Sequence, residues 1–218
     1  MSEPVPMPAP VQSAPVQPTT EAQRARVGRI LDVATMLVTS GGEDALQMSE
    51  LPKLAHVSLA ALYRYFPSKQ HLLFAVVENH LKSILARTQT VRHPGATVRE
   101  RVAAHLLSGF HVDQRVPHLG RLVRRLGWLA DPAFSAEQDR LARLHGEIME
   151  RAIGPMTDDQ REIMWLVVDA SDAAIRHWFA GTFPADEVRF RIRLACRLLD
   201  LPEEQVAIDR QAAERDAH

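Results

Sequence analysis

Apolar residues recur at helical spacing along almost the whole chain, and no segment shows the sustained alternation of a strand. The first stripe is Val27, Ile30, Leu31, Ala34, Leu37 and Val38. Thr20 and Gln23 precede it at capping-box spacing, where each side chain satisfies backbone N–H groups at a helix start. Gly41-Gly42 closes it, so the first helix is expected over about 20–40. Two short helical patterns follow, about 49–55 and 59–65. Pro67-Ser68 then opens a long helix to about Thr90, with Leu72, Leu73, Val76, Val77, Leu81, Ile84 and Leu85 on one face. Past the break at "RHPGA", helices are expected over about 96–114, 117–130, 135–153, 158–180 and 185–200, with "GPMTDD" and "GTFPAD" as breakers. The pattern predicts an all-α fold of about nine helices, with a small N-terminal unit joined by its long helix to a larger helical domain.

Residues 49–69, "SELPKLAHVSLAALYRYFPSK", carry the functional signal. Two short helices around a His-Val-Ser turn, packed on a longer first helix, make a helix-turn-helix, whose second helix enters the major groove of DNA. Leu51, Leu54, Val57 and Leu62 have the spacing of a small core between them. From periodicity alone, a helical hairpin that merely packs is nearly as good a reading. Pro52 is an obstacle, because a proline inside a helix costs about 3 kcal/mol. If Ser49 caps the helix, Pro52 is its third residue, where the N–H has no intrahelical partner. A short helix starting at about Glu50 is therefore expected.

The bulk properties exclude several classes. A net charge of −1 gives no global attraction to nucleic acid, so such binding needs a local patch. Between Glu21 and Gln70 six Lys/Arg stand against five Asp/Glu, a net of +1. Arg24, Arg26 and Arg29 are either flanking phosphate contacts or a solvated face. The single cysteine, Cys196, excludes an intramolecular disulfide and reads as a small core residue. No apolar run approaches the roughly 18 residues of a membrane span, and the N-terminus lacks a secretory pattern, so a cytoplasmic protein with no membrane partner is expected. Neither metal-ligand spacing nor a nucleophile elbow nor a Gly-rich phosphate loop is present, so no enzyme, metal or cofactor is expected.

"HVSLAALYRYFPSKQHLL" resembles the DNA-binding domain of the TetR family of bacterial repressors. Val57, Ser58, Leu62, Tyr63, Tyr65, Phe66, Ser68, Lys69 and Leu72 match its recurrent pattern at the same spacing, within residues 24–75. The helix layout is similar over 20–200. Six prolines and no basic residue make 1–19 a tail expected to be disordered or polyproline-like, followed by a helix-turn-helix domain over 20–68 and a connecting helix over 69–92. A ligand-binding and dimerisation domain over 93–202 and a polar tail over 203–218 complete the scheme. The resemblance implies a homodimer on double-stranded operator DNA, released by a small hydrophobic or acyl-type effector. Tyr63, Tyr65 and Lys69 would then serve the phosphate backbone, as would the start of the first short helix. Ser49, Leu59, Ala60, Ala61 and Arg64 would face base edges, and Ser58, which can cap the second short helix, would belong to the same DNA-binding set. Ala60-Ala61 departs from the family's Gly-Thr, which leaves Arg64 the strong donor of a mostly aliphatic reading face. Arg64 would take either guanine or a phosphate. The alternative is a helical dimeric ligand-binding or interaction protein whose DNA-binding domain is weakened.

In the second domain, Ala170, Ala173, Ala174, His177 and Gly181 form a small-residue stripe, and Val188, Ile192, Ala195 and Leu199 an apolar one. Under the resemblance both would pair with their copies in a four-helix dimer interface. Phe110, Leu126, Trp128, Phe134, Met149, Trp165 and Trp178 are candidates to line an apolar ligand cavity. Arg115, Arg121, Arg124 and Arg125 read as a solvated face or, alternatively, as partners for an anionic head group. "YRYFPSKQHLL", "WLAD" and "LACRLL" are also similar to actinobacterial repressors of sterol and lipid catabolism within that family, which respond to coenzyme A thioesters.

Overall fold

The computed structural model describes residues 16–88, 93, 95–129 and 131–216. The expected disorder of the Pro-rich tail lies outside the described residues for 1–15, as does the expected helix end at Thr90. Among the described residues the chain forms ten α-helices and no strand. They are α1 (Glu21–Gly41), α2 (Leu51–Leu54), α3 (Leu59–Tyr65), α4 (Lys69–Thr88), α5 (Val98–Arg115), α6 (Pro117–Gly127), α7 (Ser135–Ile153), α8 (Asp158–Phe179), α9 (Ala185–Ala195) and α10 (Glu203–Asp216). The chain divides into two compact units within α4, after Val76.

The N-terminal unit is built on α1. Its capping box forms as expected, with the Gln23 N–H donating to Thr20 Oγ1 at 3.2 Å. Gly42 ends the helix at φ 74, where its N–H reaches the Val38 carbonyl. Ile30, Ala34 and Val38 of α1 are buried, as are Leu46, Leu51, Leu62, Phe66, Leu72 and Leu73. Helix α2 begins at Leu51, so Pro52 sits in its first turn and costs no ladder bond. The pyrrolidine ring is itself buried, which makes the proline part of the packing. Ser49 is not the cap. Glu50 holds that position without a side-chain bond, and the Glu50 and Leu51 N–H groups donate to the Gln47 carbonyl. Leu54 is also not core: it is 50% exposed, because a four-residue helix turns only one side inward.

Helix α2 ends in a Schellman motif. Val57 N–H donates to the Pro52 carbonyl at 3.0 Å and His56 N–H to the Lys53 carbonyl at 3.4 Å. His56 takes the left-handed position at φ 51, where glycine is the usual residue. Ser58 then caps α3, its Oγ accepting from the Ala61 N–H at 3.1 Å.

In the C-terminal unit, Phe110 of α5, Met149 and Ile153 of α7, Met164, Val167 and Ile175 of α8, and Val188 and Ile192 of α9 share one buried core with Cys196. Helix α9 stops at Ala195, and the chain continues to Asp200 as a 3-10 turn. The segment after residue 202, expected as a polar tail, is helical as α10. Val206 packs on the core, and Arg210 bonds Asp159 at 2.9 Å and Glu162 at 2.6 Å on α8. Those partners lie some fifty residues upstream, so a sequence window does not see them.

Candidate nucleic-acid interface

Helix α3 has two faces. Leu62 and Tyr65 turn inward and are buried, while Leu59, Ala60, Tyr63 and Arg64 lie exposed together on the opposite side. These four are i, i+1, i+4 and i+5, one continuous surface of a helix with 3.6 residues per turn. Ala61 is half-buried on its flank, and Ser49 is exposed in the turn before α2. The face carries two large apolar or aromatic groups, one methyl and one guanidinium. It suits thymine methyls and one hydrogen-bonded base or phosphate.

Tyr65 departs from its expected phosphate role. Its ring is only 3% exposed, within the core. Its phenolic oxygen accepts a hydrogen bond from Arg64 Nη2 at 2.9 Å, and the Arg64 guanidinium lies 4.9 Å from its ring centroid. Tyr63, 45% exposed, is the tyrosine that solvent reaches. Lys69 is the first residue of α4, beside the Ser68 cap, where Ser68 Oγ accepts from the His71 N–H at 3.3 Å. Lys53 on α2 pairs at the surface with Glu50 at 3.0 Å, whose charge offsets it locally.

The expected ligand cavity separates into two groups. Phe110, Leu126 and Met149 are buried, while Trp128 is 52% exposed and Trp165 36% exposed. The exposed pair therefore lies at the surface of the unit rather than in its core. Trp128 instead donates its Nε1–H to Asp172 Oδ2 at 3.1 Å and lies beneath the Arg176 guanidinium, 4.9 Å from its ring centroid. Arg124 is not a solvated arginine either. It bonds Asp113 of α5 through one Nη and Asp172 of α8 through the other, with only 16% of its side chain exposed. Gly120 makes room for this, since a Cβ there would collide with the Asp113 carboxylate. Burial pushes the Asp113 carboxyl above its usual range, against the pull of Arg124.

His145 feels the charges of Asp172 and Arg124, and two further histidines lie beside it in a chain. His105 Nδ1 and His93 Nε2 share a hydrogen bond of 3.0 Å, and burial first, then the neighbouring His93 and His145, lowers His105 to about 4. Burial likewise lowers His93 and His145. The sequence does not reveal this grouping, because His93, His105 and His145 lie on separate segments that meet only when the chain folds.

Comparison with known proteins decides the family. Residues 30–76 match the family model described as bacterial regulatory proteins, tetR family, and residues 95–199 the tetracyclin repressor-like C-terminal domain. The HTH-type transcriptional repressor KstR of Mycolicibacterium smegmatis is 34% identical over 191 residues, covering 87% of this chain and 94% of its own. The chain belongs to the TetR family. KstR of Rhodococcus jostii is 31% identical over 183 residues, 83% of this chain and 85% of its own. The crystal structure of a TetR transcriptional regulator from Rhodococcus sp. RHA1 matches with a TM-score of 0.70 at 28% identity, covering 82% of this chain and 97% of that one. These relatives are transcriptional regulators rather than enzymes. Among the described residues no helix is long and apolar enough to cross a membrane.

Within this TetR-family chain the expected dimer residues divide by face. Ala174 and Ile192 are buried in the core of the single chain, and Ala195 is partly buried against it. The inward turn of a helix is the more strongly apolar one, and the periodicity selected it. Ala170 and His177 remain exposed and Ala173 half-buried on α8. His177 stacks on Phe183 at 4.4 Å between centroids and shares a 2.9 Å bond with Thr182. The outward stripe that the sequence reading missed is Leu166 on α8, with Phe190, Leu194 and Leu198 four residues apart on and after α9. Its exposed large residues at i, i+4 and i+8 were the available signal.

Proposed function

We propose that this chain is a homodimeric repressor that binds a pseudo-palindromic operator and is released by a small apolar or acyl-type effector. The observation that carries the reading is the capped, outward face of α3 on a chain of this family. Tyr63, Ser58 and Lys69 serve phosphates, and Leu59, Ala60 and Arg64 meet base edges in the major groove. The named KstR repressors support the repressor sense. Leu166, Ala170, Ala173, Phe190, Leu194 and Leu198 supply an exposed surface for pairing α8 and α9 with their copies. Such a protein works in the cytoplasm, where operator DNA is.

Selection of bound sequences from a random duplex pool tests it. The expected result is an enriched palindrome with half-sites about one helical turn or more apart. A pool without enrichment at low salt would favour the weakened-domain alternative instead. Effector release is tested by reciprocity: a true effector binds the free dimer more tightly than the DNA-bound one, by the factor it weakens the operator.

A further inference from the structure

We infer that Tyr65 is a positioning residue for Arg64, and that Arg64, held this way, is the specificity-determining reader of a guanine in each half-site. The inference rests on the operator-binding role proposed above. Arg64 is the long hydrogen-bond donor on the exposed face of α3; its neighbours there are Leu59, Ala60 and Tyr63. A surface arginine ordinarily samples many rotamers, and immobilising it is among the larger entropic penalties of binding. Here the penalty is met before DNA arrives. Tyr65 is anchored in the core at 3% exposure, and its oxygen accepts from Arg64 Nη2 at 2.9 Å while its ring lies 4.9 Å below the guanidinium carbon.

The backbone is fixed at the same point. The Arg64 carbonyl, in the last turn of α3, accepts from the Val16 N–H at 3.3 Å, and the Phe66 N–H closes the helix on Leu62 at 2.8 Å. At the other end Ser58 holds the first turn. A seven-residue helix is unstable alone, so these anchors set where its last turn points.

Fixed orientation separates the two uses left open for Arg64. A phosphate can also take the fork, but it offers several oxygens over a range of directions, so the contact tolerates a mobile cation. A bidentate contact to guanine O6 and N7 needs the planar fork in one direction. Tyr65 occupies one Nη2 hydrogen and leaves the other nitrogens for the base edge. The phenol thus orients the fork without consuming it.

The test compares wild type with Y65F, R64K, R64A and the double variant R64A/Y65F. Each is titrated against the operator recovered by selection and against a scrambled duplex, across a salt series. Y65F retains the buried ring, and thermal unfolding checks that it folds. The expected loss is about fivefold for Y65F and on the order of 10- to 100-fold for R64A on the operator, with scrambled binding little changed. R64K, which keeps charge but not the fork, should track R64A, and Y65F should add nothing once Arg64 is gone. Equal losses on both duplexes, with a salt slope shallower by about two per dimer (one for each half-site), would make Arg64 a phosphate contact and overturn the inference. So would an unchanged operator-to-scrambled ratio in folded Y65F. Selection that enriches no sequence would overturn the operator-binding role itself, a different and separable failure.

Discussion

Replacing Arg124 by methionine should destabilise the C-terminal unit by about 3 kcal/mol, the low end of what removing one partner of a buried ion pair costs. The structure sets both the size and the discount. Asp113 and Asp172 are 11% and 16% exposed at their side chains, and the one guanidinium between them ties α5, α6 and α8. Without it two carboxylates face each other with little water. Three features hold the loss down. Burial already raises the Asp113 carboxyl, so it can take up a proton. Asp172 keeps the Trp128 Nε1–H. The Arg124 Nε is buried without a hydrogen-bond partner, a penalty methionine removes. Urea unfolding followed by tryptophan fluorescence is the assay, since Trp128, Trp165 and Trp178 all lie in this unit. A domain of this size should lose roughly 6–12 °C in Tm. The sign with pH follows from linkage. With the cation gone, the Asp113 carboxyl, already raised by burial, loses the pull that opposed the rise and goes up further in the folded state. Its contribution is then fully present below the unfolded value and lost as pH rises through the folded one. The deficit of R124M should therefore be smaller at pH 5 than at pH 8, and the triple variant D113N/R124M/D172N should recover most of it. A deficit under about 1 kcal/mol, or one independent of pH, would refute the reasoning.

His105, lowered from 6.5 to about 4, stays neutral in the folded state while the unfolded chain takes up a proton. Stability should thus fall as pH drops from 6.5 toward 4, by up to on the order of 3 kcal/mol, and H105Q should flatten that decline in acid-unfolding curves. His56 holds a left-handed turn position at φ 51, so H56G should raise the unfolding free energy by about 0.5–1 kcal/mol in urea titrations; a loss would show that the imidazole packs usefully. With Lys53 offset locally by Glu50, the operator complex should show a log–log salt slope shallower than about −8 per dimer, and a steeper measured slope would mean more phosphate contacts than these cations supply.

The helix-turn-helix was legible because its signals are local. The Thr20–Gln23 capping box, the Gly42 stop, the Ser58 cap and the short α2 around Pro52 each depend on residues within one or two turns. Even there the reading was incomplete. It expected the Pro52 ring to be tolerated at a helix start, whereas the ring is packed inside. It gave Tyr65 an outward role, since a tyrosine's polar tip does not reveal which way its ring turns.

In the C-terminal unit, periodicity located the helices but not their orientation. Ala174 and Ile192 looked like an interface and are core, while Phe190, Leu194 and Leu198 face outward. A stripe shows that a helix buries one side; only packing says against what. The sequence alone therefore determined the all-α class, the DNA-reading module and the family, all carried by short-range spacing. The tertiary structure decided which charges meet. Asp113, Arg124 and Asp172 span nearly sixty residues and Arg210 lies about fifty from its α8 partners, and no local pattern encodes a pairing made only when helices dock. Tyr65 and Arg64 adjoin in the chain, yet their contact too was set by the core that holds the tyrosine ring.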